Sequence, residues 1–314
     1  ATPRQRSPGP RSGKRSPALR LPPSPNMMDK IDVRLVPPVL ISLILVAGHY
    51  SFGILRGFDS ILLAIGTAVV VEFAVGRLVY DSWPHPASAY TSGISVGILV
   101  RAPMLWPFAL CSALSILSKY VLRAKGRHLW NPSNFGLCVL FFPAAYGLLD
   151  IAPLNTQWGN SMWPMLVIWF VGLYTIWKVK RFHITATYIG AFVALSLVRG
   201  IITGDGFWTE VAPLTGPMYQ LFALFMITDP VTTVSSKKGE VGVTILIAIA
   251  EFFLRLAEFI AAPFYALFLV GPVAMLVEMY WTEDADETES GPQADKEDEP
   301  VSTSEQAAVP TPAS

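Results

Sequence analysis

The segment GRHLWNPSNFG, residues 126–136, places several hydrogen-bonding side chains between two long apolar runs. Asn131 followed by Pro132 is typical of a helix start, where the asparagine caps free backbone amides and the proline fits the first turn. The amides of Asn131 and Asn134, beside Ser133 and the N–H groups of the helix start, could also bind the edge of a flat heterocycle. The residues alone are compatible with both a helix cap and a ligand site.

A second polar phrase, MITDPVTTVSSKKG, occupies residues 226–239. Asp229 before Pro230 predicts the cap or the end of a helix, and Thr232 is one of several hydroxyl residues that follow. In isolation a capped helix with a polar loop is the favoured interpretation. The similar pattern of an apolar half-helix ending in proline in the first half of the chain, SGISVGILVRAPMLWP, weakens that interpretation and favours paired roles.

Ionisable residues inside apolar runs are functional candidates, because a charge in a bilayer helix is costly and faces a protein interior or a cavity. Glu72 and Arg77 are close enough in sequence to form a structural ion pair. Glu251, Arg255 and Glu258 share one helical face, which predicts a ladder of mutually neutralising charges. The other candidates are His49 and Lys119, the latter near enough to a helix end to extend its ammonium group to the interface.

Several kinds of chemistry receive no support from the sequence. It contains no glycine-rich phosphate loop, no zinc-ligand spacing and no arrangement that predicts a Ser/His/Asp triad. Cys111 and Cys138 lie in apolar runs and are predicted to be buried, unreactive thiols. We expect no metal and no nucleic-acid partner, and whether the chain is an enzyme is left open.

The composition predicts an integral membrane protein. The 314 residues are 52% hydrophobic and only 15% charged, far more apolar than an ordinary soluble domain. The net charge of zero conceals a basic N-terminal tail, residues 1–34, and an acidic C-terminal tail, residues 282–314. Both tails are predicted to be disordered, since they cannot bury enough apolar surface. A transmembrane domain is expected between them, over residues 35–281.

About ten membrane spans are expected in this domain. Eight apolar runs approach the roughly 20 residues that a bilayer crossing requires, and two shorter segments, 88–102 and 215–228, are bounded by glycine or proline. Counting all ten places the basic loops and both termini on the cytoplasmic side, in agreement with the positive-inside rule. The eight longer spans are 36–54, 60–79, 104–122, 133–149, 161–178, 182–202, 240–258 and 260–281.

Ten spans divide into two repeats of five, residues 35–150 and 160–281, and an odd number of spans in each repeat forces opposite orientations. Inverted repeats of this kind place a binding site near the membrane midplane, where short half-helices meet. The predicted fold is therefore an all-α polytopic membrane protein built from two inverted five-helix repeats.

At the two polar phrases the chain resembles the family of the D subunit of the Rnf electron-transport complex and the B subunit of the sodium-translocating NADH:quinone reductase. The resemblance rests on GRHLWNPSNFGLCVL and LFALFMITDPVTT, and it covers about residues 35–281. It implies a urea-transporter-like helical fold that carries flavin and passes electrons across the membrane. The residues expected to border a non-covalent flavin are Arg127, Asn131, Pro132, Ser133 and Asn134, with Asp229, Pro230 and Thr232 as their pseudo-symmetric counterpart.

The chain departs from this family at the site of covalent flavin attachment. The family links FMN to a threonine in an S-G-A-T type motif of an outer loop, whereas the outer loops here read DIAPLNTQWGN and GDGFWTEVAPLTG, with Thr156, Thr209 and Thr215 but no such motif. Covalent FMN is therefore not expected. The shortened form is similar to the UnbU-type membrane proteins encoded in enediyne biosynthesis clusters.

These observations predict an electron-transfer subunit of the bacterial inner membrane. It would bind riboflavin or FMN non-covalently, lie in the lipid bilayer and work with other redox subunits, in service of a biosynthetic cluster. The alternative is a transporter or channel that passes a small polar solute or natural product through the same fold. A scaffold for redox partners is a third possibility, suggested by the acidic tail.

Overall fold

The computed structural model describes residues 36–52, 57–154 and 163–289, and this part of the chain is mostly α-helical. Eleven α-helices lie within it. Their bounds are α1 Val36–Phe52, α2 Phe58–Tyr80, α3 Ala87–Leu99, α4 Trp106–Val121, α5 Pro132–Ala145, α6 Trp163–Lys178, α7 Phe182–Thr203, α8 Phe207–Val211, α9 Pro217–Leu221, α10 Lys237–Leu256 and α11 Ala262–Glu289.

Two pairs of two-residue strands complete the secondary structure of the described residues. β1 (Val100–Arg101) pairs antiparallel with β4 (Ala152–Pro153), which ties the end of α3 to the segment after α5. β2 (Arg123–Ala124) pairs antiparallel with β3 (Arg127–His128) and forms a tight hairpin between α4 and α5. The hairpin sets the position of the residues that precede α5.

Three helices are long and apolar enough to cross a membrane: α2, α7 and the part of α11 that ends at Trp281. Shorter apolar helices cover Pro132–Ala145, Met165–Lys178 and Pro217–Met226. Large apolar side chains on the outer surface, among them Leu62 and Val70 of α2, are exposed. Exposed apolar side chains on a long apolar helix are compatible with contact with lipid, so the structure supports a helical membrane protein.

Two of the apolar segments form half-length elements, at the places where the sequence predicts short segments. α3 has 13 residues, which corresponds to a length of about 20 Å and is less than the bilayer core of about 30 Å. α9 follows a turn of 3-10 helix, Ala212–Thr215, and continues directly into a π-helical turn, Phe222–Met226. Pro217 lies in the first turn of α9, where its missing N–H costs nothing.

The helices pack as two similar groups. In the first group α2 contacts α3 and α4, and α4 contacts α5; in the second, α7 contacts α10, α10 contacts α11, and α6 contacts α9 and the π-helical turn. Small residues permit close packing in the first group, since a side chain at Gly93 or Gly97 would collide with Ile65 or Ile61 of α2. The two groups touch through α5 and α11 and through α1 and α6.

One predicted boundary differs from the helix bounds in the structure. The last helix continues to Glu289, whereas the acidic C-terminal tail is predicted to begin at residue 282. The N-terminal tail, residues 1–34, lies outside the described residues, as do residues 290–314 and Thr156 of the outer loop. Cys111 and Cys138 are both buried and free, as predicted.

Candidate functional site

The two polar phrases predicted from the sequence lie against each other. The side-chain amide of Asn131 donates a hydrogen bond to Oδ2 of Asp229 at 3.0 Å, across a sequence separation of 98 residues. Asn131 also caps α5, because its Oδ1 accepts from the backbone N–H of Asn134 at 3.2 Å, and Pro132 occupies the first turn. The predicted cap is therefore confirmed, and the same side chain joins the two halves of the chain.

Arg127 strengthens this junction. Its guanidinium donates to the carbonyl oxygen of Val231, at 3.2 Å from Nε and 2.9 Å from Nη2, and to that of Thr233 at 2.7 Å. Asp229 shapes the facing turn by accepting from the N–H of Val231 at 3.0 Å. We refer to residues 127–134 and 229–233 together as the clasp.

The amides that the sequence offered as ligand donors are already used within the protein. The side-chain amide of Asn134 donates to the carbonyl oxygen of Phe264 at 3.1 Å, and Asn134 is buried. The indole N–H of Trp130 donates to the carbonyl oxygen of Phe268 at 2.9 Å. The tip of α5 is thus bonded to α11 as well as to the turn at Asp229.

Little space remains around the clasp. Pro132 and Ser133 are buried and Pro230 is exposed. The cavity beside Thr232 has a volume of about 10 Å³, close to the minimum for one water molecule. The Oδ1 atom of Asn134 is buried with no hydrogen-bond partner in the described part of the chain. These residues do not fit a flavin ring, which needs both free donors and a cavity many times larger.

One titratable group of the clasp region is perturbed. His128 lies in β3, and burial lowers the pKa of its imidazole below the ordinary value of 6.5, while the nearby carboxylate of Asp229 acts in the opposite direction. Arg127 and Lys119 also disfavour a positive charge on the ring. His128 is therefore neutral in the folded protein at neutral pH.

A much larger cavity lies beside the C-terminal ends of α7 and α10. This outer cavity has a volume of about 380 Å³, within the range of roughly 300–1,000 Å³ that is usual for small-molecule sites. Its walls combine charged, hydroxyl and aromatic side chains. The residues that matter for its chemistry are Arg199, Thr209, Glu210, Tyr219, Arg255 and Phe259.

A buried ion cluster forms one wall of the outer cavity. Glu210, only 2% exposed, accepts from Nη1 of Arg199 with one carboxylate oxygen and from Nη2 of Arg255 at 2.9 Å with the other. The guanidinium of Arg255 also lies over the ring of Phe192, with 4.5 Å between its Cζ and the ring centroid. Two guanidinium groups on one carboxylate leave the cluster with one excess positive charge. Nε of Arg199 is buried and has no partner among the described residues.

A cluster of aromatic rings packs behind one wall of the outer cavity. Tyr219 lines the cavity and packs edge-on against Phe192, with 5.4 Å between ring centroids. Phe192 in turn packs against Tyr188, and Tyr188 against Phe222, at centroid distances of 6.2 and 5.2 Å. Tyr188, Phe192 and Phe222 are all buried. Tyr219 therefore connects the wall of the outer cavity to a buried aromatic cluster.

Two predicted charge arrangements differ from the structure. Glu72 does not pair with Arg77: it accepts from Nζ of Lys119 at 2.5 Å, and Arg77 pairs with Asp81. Lys119 therefore turns inward instead of reaching for the membrane interface. The predicted partners lay on one helix, whereas the real pair joins α2 to α4.

The predicted ladder along α10 is also wrong, because Arg255 bonds to Glu210 from another element. Glu251 instead accepts from the hydroxyl of Tyr188 at 2.6 Å, and Glu258 lies beyond the end of α10 with a positive φ. The ring of His49 packs edge-on against that of Phe58, with 4.6 Å between the ring centroids.

Sequence reasoning missed the centre of the ion cluster. Neither Glu210 nor Arg199 is among the candidates that the sequence provides. Arg199 is the one charged residue of the predicted span 182–202 apart from His183, and that isolation is a signal of a functional or paired group. Glu210 carries no comparable signal, because it follows a glycine-rich turn and its burial depends on α7 and α10.

Comparison with known proteins gives no further assignment: no protein-family model matches the chain, and no curated protein matches it. Among the residues that the structure describes, no group of three or more His, Cys, Asp or Glu side chains could hold a metal ion. The structure therefore shows a mostly helical protein with three helices long and apolar enough to cross a membrane, a clasp between its two polar segments and a separate charged pocket.

Proposed function

We propose that the chain is an integral membrane electron-transfer subunit that binds a flavin non-covalently in the outer cavity. The observation that carries this proposal is the cavity of about 380 Å³ with two guanidinium groups and two aromatic rings in its walls. The resemblance to the Rnf D and Nqr B subunits supplies the class of cofactor. The clasp, where the sequence predicted the flavin, is assigned a different role: it joins the two halves.

The fold behind this proposal is a set of ten membrane-crossing elements in two inverted repeats. The packing of α2 on α4 and of α4 on α5 in one group, matched by that of α7 on α10 and of α10 on α11 in the other, supports it, as do the two half-length elements. Basic residues of several loops also meet near one end, where Arg127 reaches Val231 and Arg181 reaches Glu240. The positive-inside rule assigns that end to the cytoplasm.

The outer cavity suits the isoalloxazine ring better than it suits a phosphate. Tyr219 and Phe259 can pack against the faces of the ring, and Arg199 and Arg255 can stabilise negative charge on its pyrimidine edge. Carboxylates also line the cavity, at Glu210 and at two further positions, and they would repel a phosphate group. We therefore expect riboflavin to bind better than FMN. The bound flavin supplies the redox chemistry, and the protein supplies its position and electrostatic environment.

An absorption spectrum of detergent-purified protein tests this proposal. Protein prepared with added riboflavin is expected to be yellow, and acid precipitation should release all of the chromophore into the supernatant. Thr209→Trp fills the cavity and should abolish binding. Ala212→Trp is the matched control, because Ala212 is exposed nearby and does not line the cavity. A colourless wild-type protein, or equal flavin content in both variants, would contradict the proposal.

Transport of a small charged solute is the second candidate. The observation that favours it is the charged lining of the outer cavity, with Asp205 and Glu258 beside the ion cluster. The buried rings of Phe192 and Tyr188, which pack behind Tyr219, favour a resident ligand over a continuous path. Flux of a charged solute into proteoliposomes that is independent of riboflavin, and lost in Thr209→Trp but not Ala212→Trp, would favour transport.

A further inference from the structure

One buried acidic residue has no part in the proposed flavin site. Glu251 lies on α10 one helical turn before Arg255, and it is 1% exposed. Its Oε2 accepts from the hydroxyl of Tyr188 at 2.6 Å. Its Oε1 is buried and has no hydrogen-bond partner among the described residues.

No positive group bonds to this carboxyl in the described part of the chain. The groups that face it are Tyr188 from α7, Tyr219 from α9 and Arg255 from its own helix. Arg255 is committed elsewhere: its Nη2 donates to Glu210, and its Nη1 donates to Oγ of Ser196 at 3.3 Å. Arg199, the other guanidinium nearby, also bonds to Glu210.

An ionised carboxylate in this position would be poorly compensated. A buried charge is costly unless it is paired and its hydrogen-bonding capacity is satisfied, and here one oxygen has no donor. A protonated carboxyl group removes that cost, since it carries no charge. A hydroxyl donor and a guanidinium one turn away stabilise the ionised form, so the two effects act in opposite directions.

We propose that Glu251 is a proton-binding site that exchanges its proton with water in the outer cavity. The O–H bond of the carboxylic acid breaks, the proton passes to a water molecule, and the carboxylate that remains accepts from Tyr188. Uptake is the reverse step, and no other reactant is required. Arg255, one turn along α10, and Tyr219 both line the outer cavity and both face Glu251, so they connect this carboxyl to the cavity. The proposal does not depend on a bound flavin.

Reaction with dicyclohexylcarbodiimide tests proton binding by Glu251, because this apolar reagent adds to protonated carboxyl groups. The adduct keeps all atoms of both partners. The purified full-length protein, without flavin, is treated over a range of pH and mapped by mass spectrometry. We expect an adduct at Glu251 and none at Glu72, a carboxylate equally buried but bonded to a lysine. Above the midpoint, the yield should fall about tenfold for each pH unit, as the protonated fraction does.

Two variants separate proton binding from a merely structural role. Glu251→Gln should lose the adduct from its own peptide. Tyr188→Phe removes the hydroxyl that stabilises the carboxylate, so labelling should persist to higher pH than in the wild type. A structural effect alone would not move the midpoint in that direction.

Equal labelling of Glu72 and Glu251 would overturn the proposal. If no adduct forms, infrared spectroscopy tests for the protonated carboxyl directly, because the C=O band of a protonated carboxylic acid shifts in D₂O. Such a band should be present in the wild type, absent in Glu251→Gln and retained in Glu72→Gln. Its absence from the wild type would also overturn the proposal.

Discussion

Glu72 and Glu251 are two carboxyl groups in similar places with different partners. Each is 1% exposed and lies between two packed helices, Glu72 between α2 and α4 and Glu251 between α7 and α10. Glu72 accepts from the ammonium of Lys119 at 2.5 Å and from the hydroxyl of Tyr120 at 2.9 Å. Glu251 accepts from Tyr188 at 2.6 Å, and the nearest guanidinium is bonded to Glu210.

The difference shows that burial alone does not define the role of an acidic residue in a membrane helix. With a lysine in contact, the carboxylate stays charged and cross-links two helices. With only hydroxyl donors in contact, the same group can reach a neutral state within the protein. The partner, supplied by another helix, therefore separates a structural ion pair from a proton-binding site.

The largest effect is expected from Glu210→Gln, which leaves two buried guanidinium groups without their common carboxylate. Removal of one partner from a buried ion cluster costs about 3 kcal/mol. The variant should also free Arg255 to pair with Glu251, which would then resemble Glu72 and react less with carbodiimide. Thermal unfolding in detergent and adduct mapping measure the two effects.

Asp205→Asn is the control for this variant, because Asp205 also lines the outer cavity but is exposed. Its unfolding free energy should change by no more than about 0.5 kcal/mol. If the two variants were equally stable, the ion cluster would not be a structural element of the pocket wall.

Lys119→Met tests the comparison between Glu72 and Glu251 at the Glu72 site. It removes the positive partner of Glu72, whose carboxyl would then lie buried with Tyr120 as its remaining donor. We expect a loss of about 2 kcal/mol, less than for a fully buried pair because the Lys119 side chain is 18% exposed. Glu72 should become reactive toward carbodiimide.

Lys178→Met provides the matched lysine control, since Lys178 is exposed and lies over the ring of Tyr174. It should leave Glu72 unreactive. Continued resistance of Glu72 in Lys119→Met would mean that the lysine does not hold this carboxyl in its charged form.

The sequence predicted the mostly helical fold with long apolar helices, the two short segments and the cap at Asn131, because these follow from apolar length and from local backbone chemistry. It also identified the two polar segments that contact each other in the clasp. It did not predict that Asn134 donates to Phe264, or that Glu210 is buried between α7 and α10. Those contacts join elements distant in sequence, and only the packing of the helices specifies them.

Substitutions in the clasp should affect the carbodiimide labelling of Glu251 and of Glu72 alike. Asn131→Ala and Asp229→Ala remove the two ends of one hydrogen bond, and a double-mutant cycle should give a coupling of about 1 kcal/mol. Because the clasp joins the halves at the end opposite the outer cavity, the labelling ratio of Glu251 to Glu72 should stay at the wild-type value. A changed ratio would show that the clasp controls the proton site.

The smallest effect is expected at His128, whose imidazole pKa is lowered by burial from its ordinary value of 6.5. The unfolded chain therefore binds a proton more readily than the folded protein, so stability is fully present above about pH 6.5 and is lost as the pH falls toward the folded pKa. Unfolding midpoints of wild type and His128→Gln, compared at about pH 7.5 and 5.5, measure the effect. On acidification the wild type should lose more stability than the variant. This difference should be smaller than the stability lost in the clasp variants. An equal loss in both proteins would assign the acid sensitivity to other groups.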